Sequence, residues 1–401
     1  MQCGWSGARV SSQLVPFTHS SLDALPPEFR RIPPYFYTFN CYAKGRWHGR
    51  TILDVFTNEF QAETPEYYRH AITEGLITVN SERVPLDFII DNNHIILNKV
   101  HRHEPPVTND PLSIVGETPD LLAIDKPASI PVHPCGRYRH NTVQAILGHE
   151  HDRWRVYPCH RLDRLTSGLL IFCKNPAMAK QFEQWITQHQ VEKQYICRVQ
   201  GRVEQSVLFC DAPLKICDQR LGLCCVHPEG KASLTRFRVI RRDKDTTVLH
   251  CFPKTGRMHQ IRVHVQYLGH PIVNDPVYNS ELWGPERGRG GALTRSSKIR
   301  ILARVYRVSG TSVMSLVAGS IHPISPRLRM RMLSELVPAH AGLTPCERSW
   351  QIDRQDPAPE AMRIYLHAFR YRGPTFDFQT AMPWWSGEDW PQQLAKRQET
   401  Y

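Results

Sequence analysis

The stretch that most constrains this chain is residues 158–172, Pro158-Cys159-His160-Arg161-Leu162-Asp163-Arg164-Leu165-Thr166-Ser167-Gly168-Leu169-Leu170-Ile171-Phe172. A charged, hydrogen-bonding cluster runs straight into an apolar one. Leu169 to Phe172 is short, apolar and led by Gly168, the pattern of a buried strand. Residues 160–167 then form a polar loop at the mouth of that strand. Asp163 stands between Arg161 and Arg164, an arrangement that keeps a carboxylate ionised at neutral pH. An ionised acid beside a cationic pocket can serve as nucleophile or base towards an anionic substrate. On local chemistry alone, the same string also suits a surface ion-pair loop.

Composition narrows the partners. The chain has 401 residues, room for two or three domains, and 50 Lys+Arg against 38 Asp+Glu, a formal net charge of +12. That excess suits a polyanion, most simply nucleic acid. Twelve cysteines are scattered without a Cys-x-x-Cys pair, so no structural zinc is expected and the thiols are expected to be reduced, inside a cell. Met1 to Val10 carries no long apolar run, and no stretch approaches bilayer-spanning length, so neither signal peptide nor membrane is expected.

Along the chain, residues 1–50 read as an irregular leader, broken by Pro26, Pro27, Pro33 and Pro34. The aromatics Tyr35, Phe36, Tyr37 and Phe39 are expected to form a hydrophobic strap, with base stacking as the alternative. Residues 51–106 read as a compact unit. Ile52, Val55 and Phe56 share one helical face, as do Tyr67, Tyr68, Ala71 and Ile72 in a second helix closed by Gly75. Leu76 to Asn80 reads as a strand followed by a turn. Two helices and a small hairpin resemble the S4 RNA-binding module, although the turn glycine is Ser81 here. Pro105 and Pro106 end a linker whose His101-x-His103 pair lacks a third metal ligand at a recognisable spacing. Asn175-Pro176 starts a helix with Met178, Phe182 and Ile186 at its spacing. Residues 200–250 read as β-rich, and Gly230-Lys231 has no phosphate-loop spacing. The zinc-deaminase signature is absent.

His160-Arg161-Leu162-Asp163-Arg164 with Thr166-Ser167-Gly168 resembles the catalytic loop of the RluA-type pseudouridine synthases. Further segments extend the likeness in order. These are Leu121 to Ile124 with Asp125-Lys126-Pro127, Lys193-Gln194-Tyr195, Thr255-Gly256-Arg257-Met258-His259-Gln260-Ile261-Arg262-Val263-His264, and Ile364 to Phe369. Asn274-Asp275 stands where one common form of the family has Gly-Asp. Ile261, Val265 and Leu268, with Gly269 as a stop, favour a helix that lets Arg262 reach the cleft. The likeness lapses between about 287 and 345, where ten Lys/Arg and no acid fall from Arg287 to Ser334.

The resemblance implies a mixed α/β (α+β) fold with a central, largely antiparallel sheet and an RNA pseudouridine synthase activity needing no cofactor. The expected organisation is leader 1–50, S4-like RNA-binding module 51–106, catalytic domain 107–285, basic and disordered insertion 286–345, and closing segment 346–401. It implies Asp163 as nucleophile or C2′ base, Tyr195 stacking on the base and assisting proton removal, and Arg262 holding Asp163 ionised. Arg161, His160, Arg164, Lys126, Lys193, Arg257 and His259 are the expected RNA contacts, with Lys126 alternatively only capping its turn. No metal is expected. The expected partner is RNA, tRNA ahead of rRNA or mRNA, bound by a monomer in cytoplasm or nucleus, with the mitochondrion open. Two rivals remain at this stage: an RNA-binding protein on a dead synthase fold, and a Cys–His hydrolase using Cys159 and His160.

Overall fold

The computed structural model describes residues 29–60, 63–218, 222–291 and 358–399. The basic stretch beyond residue 291 and the first 28 residues lie outside them. The described residues fall into two compact units, and the first is Pro33–His103.

In that unit, strand β1 (Tyr35–Tyr42) pairs antiparallel with β3 (Ile95–Arg102), from Tyr35 opposite Arg102 to Tyr42 opposite Ile95, and β3 pairs with β2 (Ile77–Val79). The expectation of an irregular leader to residue 50 therefore fails at 35–42. Pro33 and Pro34 lie just before the strand, where they remove no ladder donor. Two helices pack on the sheet, α1 (Ile52–Val55) and α2 (Pro65–Thr73). The hydroxyls of Thr51 and Thr64 accept from Asp54 N and Tyr67 N at 3.2 and 3.3 Å and cap them. Ile52, Val55, Tyr67, Tyr68, Ala71 and Ile72 are buried, as their spacing predicts.

The second unit carries a ten-stranded sheet. Its members are β4 (Ser113–Glu117), β5 (Leu121–Lys126), β6 (Ser167–Cys173), β7 (Glu192–Gln200), β8 (Val207–Asp211), β11 (Leu234–Arg242), β12 (Thr246–Pro253), β13 (Leu366–Arg372), β14 (Asp377–Gln379) and the short pair Tyr157–Pro158. A separate hairpin joins β9 (Leu214–Asp218) to β10 (Leu223–Val226). The sheet runs β8-β11-β12-β7-β13-β6-β5-β4, with β14 on β13 and the short pair on β6. Every pairing is antiparallel except β13 with β6.

Strand β6 is the apolar run of residues 169–172, and Leu169 to Cys173 are fully buried. At its parallel junction with β13, Gly168 has φ +105, and a Cβ there would fall onto the Ala368 backbone. Glycine is the residue that permits this approach. Helix α3 (Val143–His151) and helix α4 (Pro176–Thr187) cover one core. The Asn175 side chain accepts from Met178 N at 2.8 Å, and Met178, Phe182 and Trp185 point inward. Trp185 takes the buried place expected of Ile186, which is half-buried.

Helix α5 (Gln260–Tyr267) packs on the other core, and 260–266 are buried all round rather than along one stripe. Cys217 and Cys225 are joined by a disulfide across the β9–β10 hairpin, against the expectation of reduced thiols throughout. Their strands pair Lys215 with Cys225 and Asp218 with Leu223, which brings the two Cα atoms within 6.3 Å.

Candidate active site

The parallel junction sets the site. Tyr195 on β7 lies opposite Ala368 on β13, and Ala368 lies opposite Gly168 on β6. The loop leading into β6 therefore opens beside Tyr195. Ile364 N donates to Leu165 O at 3.1 Å and Thr166 N to Asp163 O at 3.0 Å, fixing the loop's turn. Asp163, Tyr195 and Arg262 all line one cavity of about 1570 Å³.

Arg262, only 4% exposed, bridges two acids. Its Nε and Nη2 donate to Asp275 Oδ2 and Oδ1 at 2.6 and 3.0 Å, a two-pronged fit. Its Nη1 donates to Asp163 Oδ2 at 3.1 Å. Asp275 is held in turn by Val277 N and Tyr278 N at 2.9 and 3.0 Å. The Tyr278 ring lies under the guanidinium, 4.9 Å from its carbon. The arginine is thus fixed from behind and presents its free edge to Asp163.

The charges follow from that geometry. Burial pulls the Asp163 carboxyl upward, but His259 and Arg262 pull harder and hold it below its usual value. Burial also drives His259 down to about 4, so it is neutral at pH 7 and the lasting positive charge beside Asp163 is Arg262. His259 sits 3.5 Å from Asp163 and hydrogen-bonds the Tyr278 hydroxyl at 2.8 Å. Asp163 retains 23% side-chain exposure, open to the cavity, whereas Asp275 has none. Burial raises Tyr195 to about 12, so its phenol is protonated at neutral pH, and its hydroxyl is hydrogen-bonded to that of Tyr371.

Of the expected RNA contacts, Arg161, Lys193 and Arg257 line the cavity with His160 and His259. Lys126 does not. It is fully buried and donates to the carbonyls of Pro127, Ile130 and Arg164 at 2.7, 2.9 and 3.2 Å. It braces the loop at Arg164 and cannot reach RNA. Arg164 turns away from the cavity and lays its guanidinium over Tyr138. His160 accepts from Ile171 N at 3.3 Å, and burial lowers it to about 3, so it offers RNA no positive charge. Sequence reading missed Asp275, Tyr278 and Tyr371. The Asn274-Asp275 step was the available signal for the first. The aromatic pair carries none, because buried tyrosines look like core. Among the described residues no cluster of His, Cys, Asp and Glu could hold a metal ion, and no helix is long and apolar enough to cross a membrane.

Comparison with known proteins places the chain in a family. Residues 120–267 match the model of the RNA pseudouridylate synthase family. The chain is 39% identical to pseudouridylate synthase RPUSD2 of Mus musculus over 398 residues, covering 90% of this chain and 72% of that protein. It is 30% identical to the tRNA pseudouridine(31) synthase of Saccharomyces cerevisiae, over 90% of this chain and 96% of that one. A solved human structure, RNA Pseudouridylate Synthase Domain Containing 1, aligns with a TM-score of 0.42 at 21% identity, covering 73% of this chain and 96% of that one. A loop carrying the acid, a strand carrying the phenol and a helix carrying the guanidinium all fall within or beside the matched stretch, and the chain belongs to the RNA pseudouridylate synthase family.

Proposed function

We propose that this enzyme isomerises uridine to pseudouridine in tRNA, with Asp163, Tyr195 and Arg262 as its working side chains. The observation that carries the reading is the doubly anchored Arg262, which keeps one cavity-facing carboxylate charged and aimed. In the reaction the N1–C1′ bond breaks, the base turns, and a C5–C1′ bond forms. The C5 proton leaves and N1 gains one, so nothing is added or oxidised. Attack at the sugar and removal of the C2′ proton are the two routes open to Asp163, and both need it ionised. Tyr195 lies against the pyrimidine. As a neutral phenol joined to Tyr371, it takes up the C5 proton only as it passes its own onward. Arg161, exposed on the same loop, fills the gap left by the extruded uridine. Extrusion costs a few kcal/mol, least where the base is unpaired, which favours an RNA loop.

The relative named for tRNA position 31 spans most of both chains, which supports tRNA as the substrate. Such work takes place inside the cell, in cytosol, nucleus or mitochondrion, and a monomer suffices for it. The test is Asp163→Asn on a converted tRNA. Pseudouridine formation should vanish while RNA affinity stays within about twofold. Retained activity in that variant, or a wild type inert on tRNA, overturns the proposal.

A further inference from the structure

Three neighbouring strands present a row of side chains on the sheet face turned away from the core. Across β8, β11 and β12 the register sets Phe209 opposite Arg236 and Arg236 opposite Phe252. The next rung sets Val207 opposite Arg238 and Arg238 opposite His250. Two-residue spacing keeps both rungs on one face. The intervening Cys210, Phe237, Leu249 and Cys251 point the other way, into the core. The Arg236 guanidinium lies 4.6 Å from the centre of the Phe252 ring. Phe209 is 63% exposed and Val207 46%.

A phenylalanine so exposed contributes little to folding, and here it alternates with arginine on the edge of the catalytic sheet. Phe209, Arg236 and Phe252 line the same cavity as Asp163 and Tyr195. At about 1570 Å³ the cavity exceeds the roughly 300–1,000 Å³ of sites built for one small molecule. Six Lys and Arg side chains line it against two carboxylates. Rings that accept bases of any sequence, set between cations that follow a phosphate backbone, are how single strands of nucleic acid are held.

We propose that this row is a binding track for the unpaired nucleotides next to the target uridine. One base stacks on the exposed Phe209 ring, and the next meets the Arg236 guanidinium, which Phe252 supports from beneath and which also faces the phosphate between the two bases. The track rests on the RNA-modifying reading above and adds where the flanking strand lies.

The experiment uses the full chain and a stem–loop RNA that the wild type converts. Phe209→Ala and Phe252→Ala should each raise KM about tenfold, within the range of losing one stacked base, and leave the saturated single-turnover rate within about twofold. Repeating the assay with single abasic nucleotides beside the uridine should locate one position at which each variant loses nothing further. Arg236→Gln should shrink the slope of log affinity against log salt by about 0.7, the share of one phosphate on a single strand. Phe209→Ala should leave that slope alone. Phe209 stands clear of the core, so its variant reads binding without a folding defect. Wild-type activity with KM and salt slope unchanged in all three variants overturns the track alone. A wild type that converts no RNA overturns the function and the track with it.

Discussion

Asp275→Asn separates the part of the site that holds Arg262 from the part that uses it. Asp275 is fully buried, and its two oxygens accept four hydrogen bonds. Oδ1 takes Arg262 Nη2, Val277 N and Tyr278 N, and an asparagine oxygen could keep these. Oδ2 takes Arg262 Nε at 2.6 Å, where an amide nitrogen would set donor against donor. Breaking a buried ion pair costs about 3–5 kcal/mol, and the retained shape puts this change near 3. In a domain of this size each kcal/mol moves Tm by about 2–4 °C, so the melt should fall by about 6–12 °C. Arg262 then keeps one bond to residue 275, through Nη2, where it had a two-pronged grip, and the repelled Nε edge swings the guanidinium out of its place beside Asp163. A guanidinium displaced by about 1 Å should slow the reaction roughly 100-fold, with RNA affinity nearly unchanged. The assay is a thermal melt paired with tritium release from RNA carrying C5-tritiated uridine. Asp163→Asn is the control: this carboxylate is part-exposed and makes one 3.1 Å bond to Arg262, so its loss should move Tm by only about 2–3 °C while abolishing turnover. If Asp275→Asn melts within about 2 °C of wild type and turns over within threefold, the account of Arg262 as a clamped side chain is wrong.

Gly168→Ala should cost at least about 3 kcal/mol in urea unfolding, since φ is +105 and the new methyl meets the Ala368 backbone; a loss under about 1 kcal/mol would mean the β6–β13 junction is loosely packed. Stability should also fall as pH drops from 6.5 towards 4. Burial holds His160 near 3 and His250, His259 and His367 near 4, so in that window the unfolded chain binds protons that the folded chain refuses. Asp125, raised to about 6 by burial, opposes this, one group against six histidines once His133 and His264, also lowered by burial, are included. Urea midpoints at pH 7.5, 6 and 5 read the trend, and a flat or rising midpoint would contradict it. Because Asp163 sits below its usual value, the rate per folded enzyme should stay level over the same span.

The elements legible in the sequence were those whose signal is local. Strand β6 declared itself by four apolar residues after a glycine. Helix α4 declared itself by Asn175-Pro176, and the end of α5 by Gly269, which has φ +86. What escaped depends on partners far along the chain. Tyr35–Tyr42 looked broken because prolines precede it, yet its strand exists through Ile95–Arg102, some sixty residues on. Lys126 caps its own turn through the carbonyls of Pro127 and Ile130, as one of its two readings has it, but its third partner, the Arg164 carbonyl 38 residues away, leaves no mark in the sequence. Asp275 reads as a turn residue before Pro276, and only the folded chain brings Arg262 to it.

The parallel junction explains why so scattered a site assembles at all. In an antiparallel pair the chain entering one strand lies beside the chain leaving its neighbour. Parallel pairing of β6 with β13 instead brings two entering segments together, residues 160–166 and Ile364–Tyr365. Strand β7 then crosses β13 antiparallel, so Tyr195, Ala368 and Gly168 fall in one row. The carboxylate five residues before Gly168 is thereby delivered to the phenol's end of the sheet, where α5 supplies Arg262. A residue larger than glycine at 168 would push β13 away and misplace Asp163 and Tyr195 together. The catalytic geometry and the stability of the central sheet therefore depend on the same glycine.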